Sequence, residues 1–454
     1  MIKERLLISS RFSKLGFILA AVGSAVGLGN IWKFPYVTGE YGGGAFVLVY
    51  LITALFIGVF VLISELVIGK LGRSDAVTMF ETLATKHKKL WKYAGFIIIV
   101  PLIILAYYSV VIGWIFHYIA ISVQGLPSTV EQSTEIFMSL LTTDIQTQLM
   151  YHTVVFVLVT AIILRGIKDG IEKINKILMP LLGIILAILL VYSINVDSFS
   201  KAFTFMFNPD FSKLSSEAVV VAIGQAFYTL SLGMGIILTY AASLPKDSNV
   251  VKSSILISII DTMVAIVAGL IIFTLLFDKG AESTKGAGLV FISLPSVFYE
   301  FGSIGSFLAL LFFVAIAFAG ITSAISMLEP MVEYFENRFN YSRIKAAVIC
   351  SIFFYVLGIA ALLSNIEAYS EVLKIGEKGL FDWLDFVCST ILVPIGGILV
   401  VIFIGHYMDK KEIENELVPL MGEFLTKFWF FMVRFVIPFA LIIVILNETG
   451  IFKF

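Results

Sequence analysis

The stretch GSAVGLGNIWKFPY, Gly23–Tyr36, decides the fold. It begins inside an apolar run, LGFILAAVGSAVGL at residues 15–28, that reads as membrane helix. Gly27, Gly29 and Asn30 then stand where hydrocarbon-facing residues are expected, and Lys33 and Pro35 follow. Inside a bilayer every backbone N–H and C=O needs a partner. An unwound stretch therefore survives only where it lines a cavity or is buried in protein. Glycines also serve close helix packing, and one pair alone does not separate the two uses.

Outward from this stretch, the chain looks like membrane throughout. Of 454 residues, 59% are hydrophobic and 14% charged, against about 25% charged in an ordinary soluble domain. Runs such as AFVLVYLITALFIGVFVLIS (45–64) and FWFFMVRFVIPFALIIVIL (428–446) are long enough to cross a bilayer. The expected class is an all-α polytopic membrane protein forming one transmembrane domain over 1–454. Eleven spans are expected, at 15–37, 43–69, 91–122, 150–166, 171–193, 216–243, 252–277, 305–335, 344–364, 383–407 and 426–446. The segment GAGLVFISLPSVFYEFG (286–302) is too broken to cross and reads as a re-entrant or capping loop. The basic N-terminus precedes a long, glycine-broken run without a small-residue cleavage site, so the first helix is expected to be retained.

Several function classes are excluded. A net charge of −1 by itself says nothing about nucleic acid, and no nucleic-acid partner is expected. His87, His117, His152 and His406 show no metal-ligand spacing, and Cys350 and Cys388 read as core residues. GLGNIWKF lacks the third glycine and the preceding strand of a dinucleotide loop. No potassium-filter sequence occurs, and no nucleophile–base pair suggests an intramembrane enzyme. A channel would need a continuous polar pore; a transport-weak sensor would share the fold.

Charge sets the orientation. Of the 31 Lys and Arg, 22 fall on the side of the N-terminus and 8 on the other, with Arg434 inside the last span. The N-terminus is therefore expected in the cytoplasm and, after eleven spans, the C-terminus outside. A second glycine break, SLGMG at 231–235, interrupts the sixth span. It lies five spans after the first, so the two broken helices cross in opposite directions. Such a pair points to a transporter binding site between inverted repeats, here about 12–195 and 212–410, with 411–454 as an added span.

Other spans carry matching chemistry. In AFAGITSAISMLEP, Ala319, Thr322, Ser323, Ser326 and Met327 share one face. Adjacent hydroxyls beside a free carbonyl suit a small hard cation, although single Ser and Thr residues commonly bond back to their own helix. Ile104, Tyr108 and Val111 share a face of span three. Asp261 in span seven, on a face with Ser254, Ser258 and Ala265, is the sharpest residue, because an intramembrane carboxylate is costly and marks function by default. Glu65 lies nearer a span end and reads as structural.

The chain resembles the neurotransmitter:sodium symporters, sodium-coupled carriers of amino acids and amines. The likeness rests on GSAVGLGNIWKFPY with GGGAF, GQAFYTLSLGMG, FAGITS with LEP, the GLVFISLP loop, and Gly170 and Pro180 nine residues apart. It implies the leucine-transporter fold and two co-transported Na+ ions, with no organic cofactor. One ion would use the Ala25 carbonyl, Asn30, Thr229 and Asp261, completed by the substrate carboxylate. The second would use carbonyls of Gly23, Val26 and Ala319 with the hydroxyls of Thr322 and Ser323. The substrate carboxylate would meet Leu28, Gly29 and Tyr108. Its ammonium would meet Ala25, Tyr228, Thr229 and Ser231. Ser24, Ile104, Val111, Tyr228, Met234, Ser323 and Met327 would form the side-chain pocket. Tyr228 would be a lid beside Tyr108, and Lys33 with Asp385 the outer gate.

This chain departs from the family at four places. Lys33 replaces the usual Arg and cannot form a planar bidentate pair with Asp385. The family's inner-side Arg and Trp fall on Ile8 and Arg11, and their Asp partner on Asn337, so Arg5 or Arg11 with Glu336 is the expected substitute. Met234 stands where a leucine carrier has Phe. Asp261 stands where many members have Asn, and could supply the negative charge that chloride supplies in animal members, giving chloride-independent transport. An apolar pocket with two adaptable methionines predicts tyrosine, tryptophan or phenylalanine, with a leucine-type substrate as the alternative. The expected setting is a bacterial inner membrane, with lipid as the surrounding partner.

Overall fold

A computed structural model describes residues 12–281 and 286–452. Among the described residues, nine helices are long and apolar enough to cross a membrane, and a tenth results if Lys14–Ala25 and Gly29–Glu40, bent by 49°, count as one. The nine are Gly44–Gly72, Lys88–Gln124, Ile145–Ile163, Ile167–Ile194, Val250–Asp278, Ser303–Phe339, Arg343–Leu363, Leu380–Tyr407 and Lys410–Glu448. The expected sixth span consists of Ser216–Thr229 and Ile236–Ala242, 14 and 7 residues long, each too short to qualify alone. The expected count of eleven thus depends on taking this broken pair as one crossing.

Helix starts follow local chemistry. Ser13, Asp75, Thr129, Asp144, Ser215, Asn249, Ser342 and Asp409 each cap a helix by accepting from a backbone N–H of its first turn. The 286–302 segment holds a short apolar helix, Leu289–Glu300, which does not meet the length for a span. It is pinned to span three because the Phe291 carbonyl accepts from the Tyr118 hydroxyl at 2.8 Å. Two features escape the apolar pattern. A small antiparallel hairpin pairs Lys374–Ile375 with Lys378–Gly379. The last helix starts at Lys410 and kinks at Gly422 (φ 80°), so its first part precedes the expected span.

Spans three and eight pack together at the centre, and the first half-helix lies against spans five and eight. Exposed large apolar side chains such as Val157, Ile184, Phe353 and Phe439 lie on the outer faces of spans four, five, nine and eleven. That is the pattern of a lipid-facing surface, where burial gains nothing over hydrocarbon.

Candidate binding site

The first helix stops at Ala25, and Val26 is extended (φ −70°, ψ 106°). Glycines at 27 and 29 weaken the helix there, and Asn30 supplies the alternative: its Oδ1 accepts from the Gly27 N–H at 3.0 Å. The Leu28 N–H donates to the Tyr108 hydroxyl at 3.1 Å. Gln225 donates to the Gly29 carbonyl at 2.7 Å. The first two bonds give partners to N–H groups at the break, and Gln225 adds a second donor to a carbonyl that already accepts from Phe34.

The second break is built from left-handed backbone at Ser231 (φ 53°), Gly233 (φ 73°) and Gly235 (φ 73°). Ser231 donates to the Ser24 carbonyl at 3.0 Å, joining the two breaks directly. Glu65 Oε1 accepts from the Gly233 N–H at 2.7 Å. Gly233 also lies against the backbone of span ten, so a Cβ there would fall 2.4 Å from the Gly397 nitrogen.

Oxygen atoms gather around these breaks. The Ser323 hydroxyl lies 3.3 Å from the Gly23 carbonyl, 3.2 Å from that of Ser24 and 3.2 Å from that of Val26. Thr322 Oγ1 lies 3.0 Å from the Ala319 carbonyl. The five groups expected at the second ion are thus close neighbours. At the other side of the break, Asn30 Nδ2 donates to Asp261 Oδ1 at 2.7 Å and to the Asp261 carbonyl at 3.0 Å. Asp261 Oδ2 is buried and has no hydrogen-bond partner. Thr229 Oγ1 is bonded back to the Gln225 carbonyl at 3.1 Å and faces the Tyr50 hydroxyl at 3.5 Å. Among the described residues, no group of three or more His, Cys, Asp or Glu side chains could hold a metal ion. The oxygens here are mostly carbonyl and hydroxyl, which suits an alkali cation rather than a transition metal.

Two adjacent spaces lie at the breaks. An inner cavity of about 20 Å³ is lined by Ser24, Ala25, Gly27, Leu28, Gly29, Ile104, Tyr108, Tyr228, Thr229, Ser231, Met234, Ser323 and Met327. A vestibule of about 400 Å³ lies beyond it, bordered by Trp32, Lys33, Tyr107, Phe381 and Asp385 among others. Leu28, Gly29, Tyr108 and Tyr228 line both spaces and form the partition. Val111, expected in the inner pocket, borders the vestibule instead. It sits one turn beyond Tyr108, which places it on the outer side of the tyrosine partition.

Lys33 and Asp385 both border the vestibule, yet no ion pair within 4 Å joins them. The Lys33 ammonium lies over the Tyr228 ring, 4.8 Å from its centroid. Asp385 Oδ1 accepts from the Tyr107 hydroxyl at 3.0 Å. The expected pair is open in this conformation because each partner has a substitute closer at hand.

On the opposite side, among the described residues, aromatic rings and an ion pair join the first and sixth spans. Phe12 meets Phe17 and Tyr240 edge-on, at ring-centroid distances of 6.1 and 5.4 Å. Lys14 lies 2.5 Å from Asp247, and this bond holds the exposed Asp247 carboxyl below its usual range. Glu336 is taken by Arg343 at 3.0 Å, which also pairs with the buried Glu329 at 2.5 Å. Arg5, Ile8 and Arg11 lie outside the described residues.

The sequence reading missed Gln225, Tyr107 and Asn175. Two of them carried a signal: Gln225 stands four residues before Thr229, and Asn175 is a polar residue within a membrane helix.

An all-α membrane fold whose two broken helices meet over buried oxygen ligands defines a transporter, not an enzyme. A family model described as the sodium:neurotransmitter symporter family matches residues 10–137 and 136–453. An uncharacterized sodium-dependent transporter of Bacillus subtilis strain 168 is 34% identical over 447 residues, covering 97% of this chain and 98% of that one. Another, from Haemophilus influenzae, is 33% identical over 450 residues, covering 96% and 97%. Among solved structures, that of MhsT in complex with L-phenylalanine superposes with a TM-score of 0.87 at 38% identity, covering 97% of this chain and 99% of that one. The chain belongs to the sodium:neurotransmitter symporter family, a family of sodium-dependent transporters.

Proposed function

We propose that this protein is a symporter that couples two Na+ ions to the uptake of aromatic or other large hydrophobic amino acids, without chloride. The observation that carries the substrate class is the lining of the inner cavity: apolar side chains, hydroxyls and two methionines, with no charged side chain. A lysine, arginine or glutamate tail would find nothing there to neutralise it. The backbone and hydroxyl groups of Leu28, Gly29, Tyr108 and Ser231, which bond one another and their neighbours across the breaks, can exchange those bonds for the zwitterionic head that all amino acids share. The phenylalanine in the MhsT complex agrees with the same class. A cavity of about 20 Å³ is far smaller than a side chain, so loading requires Met234 and Met327 to change rotamer and Tyr228 to swing. Methionine is suited to that.

The ion roles follow the oxygen clusters: Ala25, Asn30, Thr229 and Asp261 for the first sodium, and Gly23, Val26, Ala319, Thr322 and Ser323 for the second. Lys33 and Asp385 pair only when the outer side closes. In this reading the broken pair at 216–242 is a full crossing, giving eleven spans, with residues 12–195 and 212–410 as inverted repeats. The protein sits in a bacterial inner membrane with its N-terminus in the cytoplasm. Two net charges moving through about 100 mV supply roughly 4.6 kcal/mol, or about three decades of accumulation.

Uptake of labelled tyrosine, tryptophan, phenylalanine and leucine into proteoliposomes, with and without a sodium gradient and in chloride or gluconate, tests the whole proposal. Sodium-driven, chloride-indifferent uptake competed by the aromatic amino acids is expected. Preference for leucine moves the substrate class to the aliphatic alternative, and competition by alanine or glycine alone refutes it.

A further inference from the structure

Span five presses two polar side chains against two glycines of the first helix. Gly16 and Gly23 are seven residues apart and share a face. A Cβ at Gly16 would fall 2.2 Å from the Glu172 carboxyl carbon, and one at Gly23 would fall 2.0 Å from Asn175 Oδ1. Glu172 is well satisfied: it accepts from the Ser13 backbone at 3.0 Å, from its hydroxyl at 2.7 Å and from Lys176 at 2.5 Å. Asn175 is not. Its Nδ2 donates to the Ile171 carbonyl at 2.9 Å. That bond fixes the amide's orientation, because only the NH₂ end can serve a carbonyl. Its Oδ1 is therefore directed at Gly23, and it is buried without a partner. The side chain is 1% exposed.

The setting of that orphan oxygen points to a ligand. The same position beside Gly23 lies 3.2 Å from Thr322 Cβ, and Gly23 and Thr322 belong to the cluster assigned above to the second sodium. Hard cations of this kind surround themselves with about six oxygens. Spans one and eight offer five. We infer that Asn175 supplies a further oxygen to the second sodium's coordination shell, from a third helix. This inference rests on the two-sodium reading of the site. An amide oxygen has the same hardness and charge as the backbone carbonyls already in the cluster. Its source matters mechanically: the ion would then bind span five as well as the two broken-helix partners, and its departure would release span five from Gly23.

The test is equilibrium binding of radioactive sodium to the purified full-length protein. Asn175→Leu keeps the branched outline, though bulkier, and removes the oxygen; Asn175→Asp keeps an oxygen and adds charge; Thr322→Ala removes a ligand of the cluster itself. The expected result is a half-saturating sodium concentration about tenfold higher for Asn175→Leu and lower than the parent's for Asn175→Asp. Thr322→Ala should also weaken binding. Where Asn175→Leu fails to fold, Asn175→Asp alone decides, and an unchanged sodium affinity overturns the inference. If Thr322→Ala weakens sodium binding while both Asn175 variants stay within twofold of the parent, Asn175 is a packing residue and only this inference fails. If Thr322→Ala has no effect, the second-site reading fails with it.

Discussion

Replacing Asp261 by Asn isolates the charge logic of the site with little change of shape. Asp261 is buried, its Oδ1 accepts from Asn30 at 2.7 Å, and its Oδ2 has no partner. An asparagine can present its own oxygen to Asn30, and the Asp261 backbone carbonyl keeps its 3.0 Å bond. What disappears is a negative charge. A cation about 4 Å from a carboxylate gains roughly 4 kcal/mol at an effective dielectric near 20. Part of that is offset because a neutral amide is easier to bury than a bare carboxylate. If only a third survives, about 1.4 kcal/mol, the half-saturating sodium concentration rises about tenfold. The assay is sodium-dependent uptake into proteoliposomes, titrated in chloride and again in gluconate. The variant should need about tenfold more sodium in gluconate and recover part of the loss in chloride, since an anion can then stand in for the missing carboxylate. A variant with the parent's sodium requirement in both media would refute the reasoning, while leaving the family assignment intact.

Four further outcomes follow from the same geometry. Gly233→Ala places a Cβ 2.4 Å from the Gly397 nitrogen at a residue with φ 73°, so it should abolish monodisperse folded protein in size-exclusion chromatography. Arg343→Met strands the buried Glu329 and should cost about 3–5 kcal/mol; thermal unfolding should show most of it recovered when Glu329→Gln is added. Met234→Phe stiffens the pocket wall and should lower tryptophan uptake at least severalfold more than leucine uptake, read by competition. Ser323→Ala removes a hydroxyl that lies within 3.3 Å of three carbonyls and should raise the sodium requirement of uptake severalfold, read by titrating sodium at fixed substrate.

Much of this was legible in the chain because the membrane makes exceptions conspicuous. Glycine, asparagine and hydroxyl residues inside apolar runs have few explanations, so both breaks, Asp261 and the Thr322–Ser323 pair could be located from residue type and spacing alone. Their partners were harder to find. Glu65 serves Gly233 across 168 residues of chain, and Asn175 faces Gly23 from another helix; such contacts leave no periodic trace. Val111 shares a helical face with Tyr108, but which side of the tyrosine partition it borders is a matter of depth, which a one-dimensional pattern does not encode. The expected Lys33–Asp385 pair is not formed here, where Lys33 lies over Tyr228 and Asp385 accepts from Tyr107; a sequence does not say which of several partners a charged side chain takes. The kink at Gly422 went unread because the helix before it is not apolar enough to register as membrane.

The close approach of Gly233 to span ten also constrains how the molecule can move. A Cβ on Gly396 would lie 1.9 Å from the Gly233 carbonyl oxygen, so two peptide planes meet there with no side chain between them. Side chains act as bearings: they change rotamer and let neighbouring helices slide. Bare backbone has no such freedom. Whatever displacement the second break undergoes as cargo binds and leaves must therefore be handed to span ten undiminished. The pair forms a fixed joint, and Asp385, carried on the same span, is tied through it to the floor of the site.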